Sequence, residues 1–582
     1  MMKKHAPQIA LVMLILLVTL SGCGWLRTES VVNAPDNSDN YDRWHDQNDA
    51  NQEAPSSGMA IDEPAEEYSF QPTNSRELEA GQAEPSSAGG GSGPVAPSAQ
   101  DSSYSAEKDP MEVQPPHGNP PPWDDDEDEP DDMFFEDYGT NPFIDTEEDN
   151  LSTFATDVDT GSYTIARNYI NQGIRPPEDA IRVEEFINFF PQGYKMPSER
   201  ETFRITIDGG PTPFTERDSY SVIRIGIQGY DVPERERKDA ALTFVIDVSG
   251  SMGNGRRLEM VQDSLELLVD QLTKDDTVAI VAYTDTAWVV LPPTSARQKD
   301  KIVDAIYELY PMASTNAEAG LILGYEVASQ AYIRNGINRV ILCSDGVANV
   351  GATGPDSIWE SIQDYASEGI NLTSIGVGMG NYNDVLMEQL ADQGNGFYAY
   401  VDSMEEANRL FVDDLVSILQ VIAYDAKVQV VFNPEVVSHY RLIGFENRAI
   451  ADEDFRNNSV DAAEIGAGHS VTALYEIKTY AGERGEIATV QFRWQDPDDY
   501  KVHEISETFD TRDLENSFRR ADPYFQADVL VAEFAEILRD SPWAEHSTIW
   551  ELIDYAEDIA DQIERSEFYE FVDLLEQASY LD

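Results

Sequence analysis

The stretch "TFVIDVSGSM", Thr243 to Met252, decides the fold. Its first half is a run of apolar β-formers, the composition of a strand buried on both faces. Its second half breaks into Asp247, Ser249 and Ser251, alternating with Val248 and Gly250. Alternate spacing in a loop lets three oxygen side chains turn toward one point, which no hydrophobic core requires. Around this stretch, from about Asp239, strands and helices alternate. "TVAIVAYT", "RVILCSDG", "INLTSIGVGMG" and "FYAYV" read as strands, with "AWVVLPP" as a short edge strand. "RRLEMVQDSLELLVDQL", "AEAGLILGYEVASQAYIR", "PDSIWESIQDYASEG" and "SMEEANRLFVDDLVSIL" read as the helices between them. The fold class is therefore α/β, a doubly wound, mainly parallel Rossmann-like sheet whose ligands belong at the carboxyl ends of its strands.

Two further oxygens fall where such a sheet brings them near the first three. Thr315 lies in "MASTNAEAG", ahead of a helix, and Asp345 lies in "LCSDG", at the end of the fourth strand. All five groups are hard oxygen donors. Such a set suits Mg²⁺ first, with Ca²⁺ or Mn²⁺ as alternatives, and argues against zinc. Capping the next helix would use one of these side chains, not five. Other chemistry is absent from the sequence. "GVGMGN" reads as a tight strand–helix turn, since no P-loop lysine follows it. No G-x-S-x-G, H-E-x-x-H or Cys–His constellation appears, so the chain reads as no enzyme. Cys343 reads as a small buried hydrophobe, and His469 as a lone histidine without a catalytic partner. "DVDTGS", Asp157 to Ser162, reads as a turn and helix cap rather than a calcium loop.

Composition narrows the partners. The chain has 582 residues, with 109 acidic against 39 basic side chains and a formal charge of −70. That argues against nucleic acid as a ligand, because phosphate binding needs a basic face. An anionic membrane surface is disfavoured as a direct ligand for the same reason. The amino terminus carries "MMKK" and then an apolar run, "IALVMLILLVTL", too short to span a bilayer as a helix. It ends in "LSGC", and the whole resembles a bacterial lipoprotein signal. That resemblance implies removal of residues 1–22 and lipidation of Cys23, which would tie the protein to a membrane. An ordinary signal peptide or an uncleaved anchor would also carry it out of the cytoplasm. Gly24 stands where an inner-membrane retention signal has Asp, which points to the outer membrane if the cell is Gram-negative.

Residues 23–140 are polar, acidic and rich in Ser, Pro and Gly, and read as a disordered acidic linker. An N-terminal module of helices and strands is expected over 141–238, the α/β domain over 239–415, and a β-rich C-terminal module over 416–521. A helical segment closes the chain over 522–582. In this context Asp247, Ser249, Ser251, Thr315 and Asp345 resemble the metal-ion-dependent adhesion site of von Willebrand factor type A domains. The flanks, "TDVDTGSYTIARNYINQGIRPPEDAIRVEEFINFF" and "YRLIGFENRAIADEDF", resemble those of YfbK-type bacterial lipoproteins. The resemblance implies a surface-anchored binding or adhesion protein. Its metal would engage an acidic group of a protein or glycan partner. The alternative is a structural envelope-assembly component whose metal site is completed internally.

Overall fold

The computed structural model describes residues 133–581 apart from 157, 199, 216–219, 313, 347–353, 367, 381 and 461. The signal segment, Cys23 and the linker up to residue 132 lie outside the described residues. Among those described, no helix is long and apolar enough to cross a membrane.

The α/β domain holds a six-stranded sheet. Its strands are β1 (Ala240–Asp247), β2 (Thr277–Tyr283), β3 (Ala287–Ser295), β4 (Ile337–Ser344), β5 (Asn371–Val377) and β6 (Phe397–Val401). They lie in the order β6-β5-β4-β1-β2-β3. All neighbours are parallel except the edge strand β3, which runs antiparallel to β2. The continuous apolar runs follow from burial on both faces. Leu242, Phe244 and Ile246 pack into one core with Leu258, Val261 and Leu265 of helix Arg257–Gln271. Val245, Ala279 and Val281 pack into another with Leu321, Tyr325 and Ala328 of helix Ala317–Ala331. That second helix sits close because it carries glycines at the contact. A Cβ on Gly320 would stand 2.5 Å from the Tyr283 ring, and one on Gly324 would stand 2.4 Å from Val245 Cγ2. The expected single helix over "SMEEANRLFVDDLVSIL" is broken: a π turn at Arg409–Asp413 separates Met404–Asn408 from Leu415–Leu419.

The flanks correct one expectation. Read as two separate modules, 141–238 and 416–521 instead interleave into one β-sandwich, into which the α/β domain is inserted. One sheet runs Ile144–Asp145, Val437–Ile443, Ser470–Thr479, Tyr220–Gly229, Phe203–Gly210, all antiparallel. In the other, Leu151–Ala155 pairs with Val421–Phe432, which also pairs with Glu486–Gln495. Alternating side chains then serve two cores, as strand periodicity dictates. Ala473 and Tyr475 face the sandwich interior with Ile225, Val430 and Phe492. Leu474 and Val222 face outward, where helices Pro523–Leu538, Ile549–Ile563 and Ser566–Ala578 cover them together with the aromatic helix Val183–Phe189. The carboxy-terminal helical segment thus forms the outer layer of the sandwich.

Buried ion pairs lock this layer to the α/β domain. Arg167 forks onto Asp402 at 2.7 and 2.6 Å. Arg182, buried ahead of Val183–Phe189, pairs with Glu185, with Asp384 at 2.7 Å and with Glu388 at 3.5 Å. In "DVDTGS", whose Asp157 lies outside the described residues, Thr160 occupies the N-cap of helix Gly161–Asn171 without a side-chain capping bond, and Asp159 accepts the Tyr398 N–H of β6 at 3.0 Å. Arg182→Met would leave three buried carboxylates short of their guanidinium, and breaking a buried pair from one side costs about 3–5 kcal/mol. The expected outcome is a marked fall in the urea midpoint of the full chain, against little change for the exposed Arg235→Met.

Candidate metal centre

The parallel register of β1 and β4 builds the site. Ile246 lies level with Cys343, so Asp247 reaches the strand end beside Ser344, and Asp345 follows one residue on. Asp247 is fully buried. Its Oδ1 accepts the Ser249 N–H at 2.8 Å, and its Oδ2 accepts the Ser344 hydroxyl at 2.9 Å and the Tyr283 hydroxyl at 3.2 Å. Ser249 Oγ and Ser251 Oγ lie 3.0 Å apart. The loop carrying Thr315 is fastened to the same strand end by the Met312 N–H, which donates to the Val248 carbonyl at 2.6 Å. Thr315 itself is buried, between Ser314 in the left-handed region (φ 74°) and Asn316, which caps helix Ala317–Ala331. The five residues singled out by spacing therefore share one end of the sheet. Asp247, Ser249 and Ser251 are joined by hydrogen bonds within one loop. Asp345 adjoins through Ser344, and Thr315 through the Met312 fastening.

Electrostatics mark the place as short of positive charge. Burial, reinforced by the neighbouring Asp345 carboxylate, pushes Asp247 up to about 7, against the pull of the Ser249 and Ser344 bonds. Two buried carboxylates, the Ser249 and Ser251 hydroxyls and Thr315 from the adjoining loop are a donor set that fits a hard divalent cation, which would be held by Asp247, Ser249, Ser251, Thr315 and Asp345. Neither His nor Cys supplies a donor: Cys343 is a buried hydrophobe pushed up to about 12 by burial, and His469 lies in another module, pushed down to about 4 by burial with Arg409 adding to it. The Gly-rich turn behaves as read, with Gly378 (φ 86°) and Gly380 (φ 96°) turning the chain between β5 and helix Asp384–Gln393.

Arg257 is the residue that spacing did not single out. It opens helix Arg257–Gln271 and is buried. Its Nη1 donates to Asp345 Oδ2 at 3.0 Å and to the Ser251 carbonyl at 3.3 Å, and Nη2 donates to the Met379 carbonyl. A Cβ on Gly378 would lie 2.2 Å from Arg257 Nε, so the turn is glycine where the guanidinium passes. A cation at the first turn of a helix opposes the helix dipole. That cost is the signal that could have found it: such an arginine needs an anion close by.

Three family models match the chain. Residues 129–224 match one described as von Willebrand factor, residues 241–413 one described as von Willebrand factor type A domain, and residues 417–581 one described as Uncharacterized protein YfbK, C-terminal. Among curated proteins, the chain is similar to Uncharacterized protein YfbK of Escherichia coli K12, at 38% identity over 365 residues. The match spans 62% of this chain and 63% of that protein. It is also similar to mouse inter-alpha-trypsin inhibitor heavy chain H3, at 28% identity over 29% of this chain and 20% of that one. A solved von Willebrand factor type A protein from Catenulispora acidiphila is similar at 16% identity and a TM-score of 0.39, covering 66% of this chain and 91% of that chain.

Two outcomes test the site. A buried acid whose proton affinity rises on folding makes the native state bind more protons than the unfolded one between about pH 4 and 7. Metal-free stability then falls as pH rises through that window, while a bound cation needs the proton gone. Calorimetry with EDTA and with Mg²⁺ should show the Mg²⁺-induced rise in Tm growing from pH 5.5 to 7.5; a rise independent of pH would contradict the arrangement. Arg257→Met removes the guanidinium that answers Asp345. Its metal-free Tm should drop, and Mg²⁺ should recover more of it than it adds to the wild type.

Proposed function

Since the chain is a YfbK-family protein built around a von Willebrand factor type A domain, we propose that it is a divalent-cation-dependent binding protein of the cell envelope. Domains of this type are metal-dependent binding domains. What supports the reading is that Asp247, Ser249, Ser251 and Asp345 lie together at one sheet end, with the loop of Thr315 fastened beside them, and that two of these residues are buried carboxylates, Asp345 being paired with Arg257. When bound there, a divalent ion, Mg²⁺ in this reading, supplies a coordination position that an acidic group of a protein or glycan partner can take. The chain's own residues do the rest. Ser249 N–H, Ser344 and Tyr283 aim the Asp247 carboxylate, and Arg257 holds Asp345 from the far side. In this reading the chemistry is binding rather than turnover. Cys23, after a lipoprotein-type signal, would anchor the chain in the membrane, with residues 23–132 as a spacer to the folded part.

A second reading, a structural envelope component, has one observation in its favour. The residues beside the metal loop are tied into the flanking layer: the Phe134 N–H donates to the Tyr382 carbonyl at 2.8 Å, and Arg182 holds Asp384. Capture from intact cells separates the two. Crosslinked in Mg²⁺, wild type should retain a partner that EDTA releases and that Asp247→Ala fails to hold, with recovery down about tenfold or more, or at least 1.4 kcal/mol. The same partners in Mg²⁺ and EDTA would sink the binding reading. If EDTA lowered the Tm of the flanking layer as well, the structural one would stand.

A further inference from the structure

A second site lies far along the chain from the metal centre, between the outward face of the Tyr220–Gly229 sheet and helix Pro523–Leu538. A cavity of about 370 Å³ opens there, within the size range of small-molecule sites. Its floor is apolar: Val222 and Leu474 from the sheet, Val529 and Ala532 from the helix. One corner is aromatic, Phe143 and Trp543 meeting edge to face at 5.1 Å. We propose that this cavity binds an organic ammonium group carried on an apolar body, with Glu533 as its counter-ion.

The charge pattern selects the ligand. The aromatic corner already accepts a cation, since the Arg441 guanidinium stands 5.9 Å from the Phe143 ring and 5.2 Å from the Trp543 ring. That arginine is matched: it donates to Glu536 at 3.1 Å and pairs with Glu476 at 3.4 Å. Glu536 is matched again by Arg539 at 2.7 Å. Glu533, one helical turn before Glu536, lines the same cavity with no basic partner among the described residues. Its Oε1 is buried and accepts no hydrogen bond from them, and the same holds for Glu536 Oε2. Buried acceptors left without donors are costly, so both oxygens call for N–H donors from whatever fills the space. Burial pushes Glu533 up to about 8, with Glu536 and Glu476 adding to it and the Ser547 hydroxyl and Arg441 opposing. An anion would meet the carboxylates of Glu476, Glu533, Glu536 and Glu545. A neutral apolar molecule would satisfy the floor and leave both oxygens bare. An ammonium group satisfies the oxygens, and its apolar body covers Leu474 and Val529.

The full chain tests this with three probes in calorimetric or ligand-observed NMR titrations: phenethylammonium, its isosteric alcohol 2-phenylethanol, and a lysine capped at both ends. Saturable binding of phenethylammonium or of capped lysine at millimolar or lower concentration, about tenfold tighter than the alcohol, supports the site. The tighter of the two cations then says whether a free amine or a protein side chain is the source. Glu533→Gln keeps the shape and removes a costly buried acid, so its Tm should hold or rise while cation binding falls about tenfold. Alcohol and amine binding alike, no saturation by either cation, or full binding retained in Glu533→Gln each overturns the proposal.

Discussion

Two carboxylates forced together at one end of a parallel sheet set the terms for the rest of the molecule. Asp247 and Asp345 end adjacent strands, both fully buried, and like charges in a low dielectric cannot both ionise without compensation. The surrounding parts meet that demand one by one. The Ser249 N–H and the Ser344 and Tyr283 hydroxyls serve Asp247, and Arg257 serves Asp345. Tyr283 reaches inward because Gly320 of the covering helix leaves room for its ring. Arg257 reaches across because Gly378 leaves room for its side chain. The glycines and the arginine are consequences of the acid pair, and a divalent ion is the group that completes the same balance.

What could be read from the residues depended on the range of the signal. The α/β domain was legible because its strands and helices each declare themselves over 5–15 residues by local periodicity. That Asp247 and Asp345 end up side by side was legible because a parallel sheet puts adjacent strand ends at one edge. The sandwich was not legible. Its two sheets pair Leu151–Ala155 with Val421–Phe432 and Tyr220–Gly229 with Ser470–Thr479, and strand alternation carries no address for a partner more than 200 residues away. Arg257 stayed hidden for another reason. "RRLE" reads as the polar start of an amphipathic helix, and its role depends on Asp345, 88 residues on.

The insertion of the α/β domain into the sandwich gives the metal loop a mechanical setting. Gly346, directly after Asp345, has φ 75°, and a Cβ there would stand 2.7 Å from the Asn383 nitrogen. The Asp345 loop therefore lies flush on the 382–384 backbone. On that same backbone Phe134 pairs with Asn383, and Asp384 takes Arg182 of the flanking layer. A displacement of Asp345 has to move Gly346, where the backbone of Asn383 leaves no room for a Cβ. The contact path from metal loop to Arg182 is short and packed, and packed elements shift between discrete arrangements rather than deform smoothly.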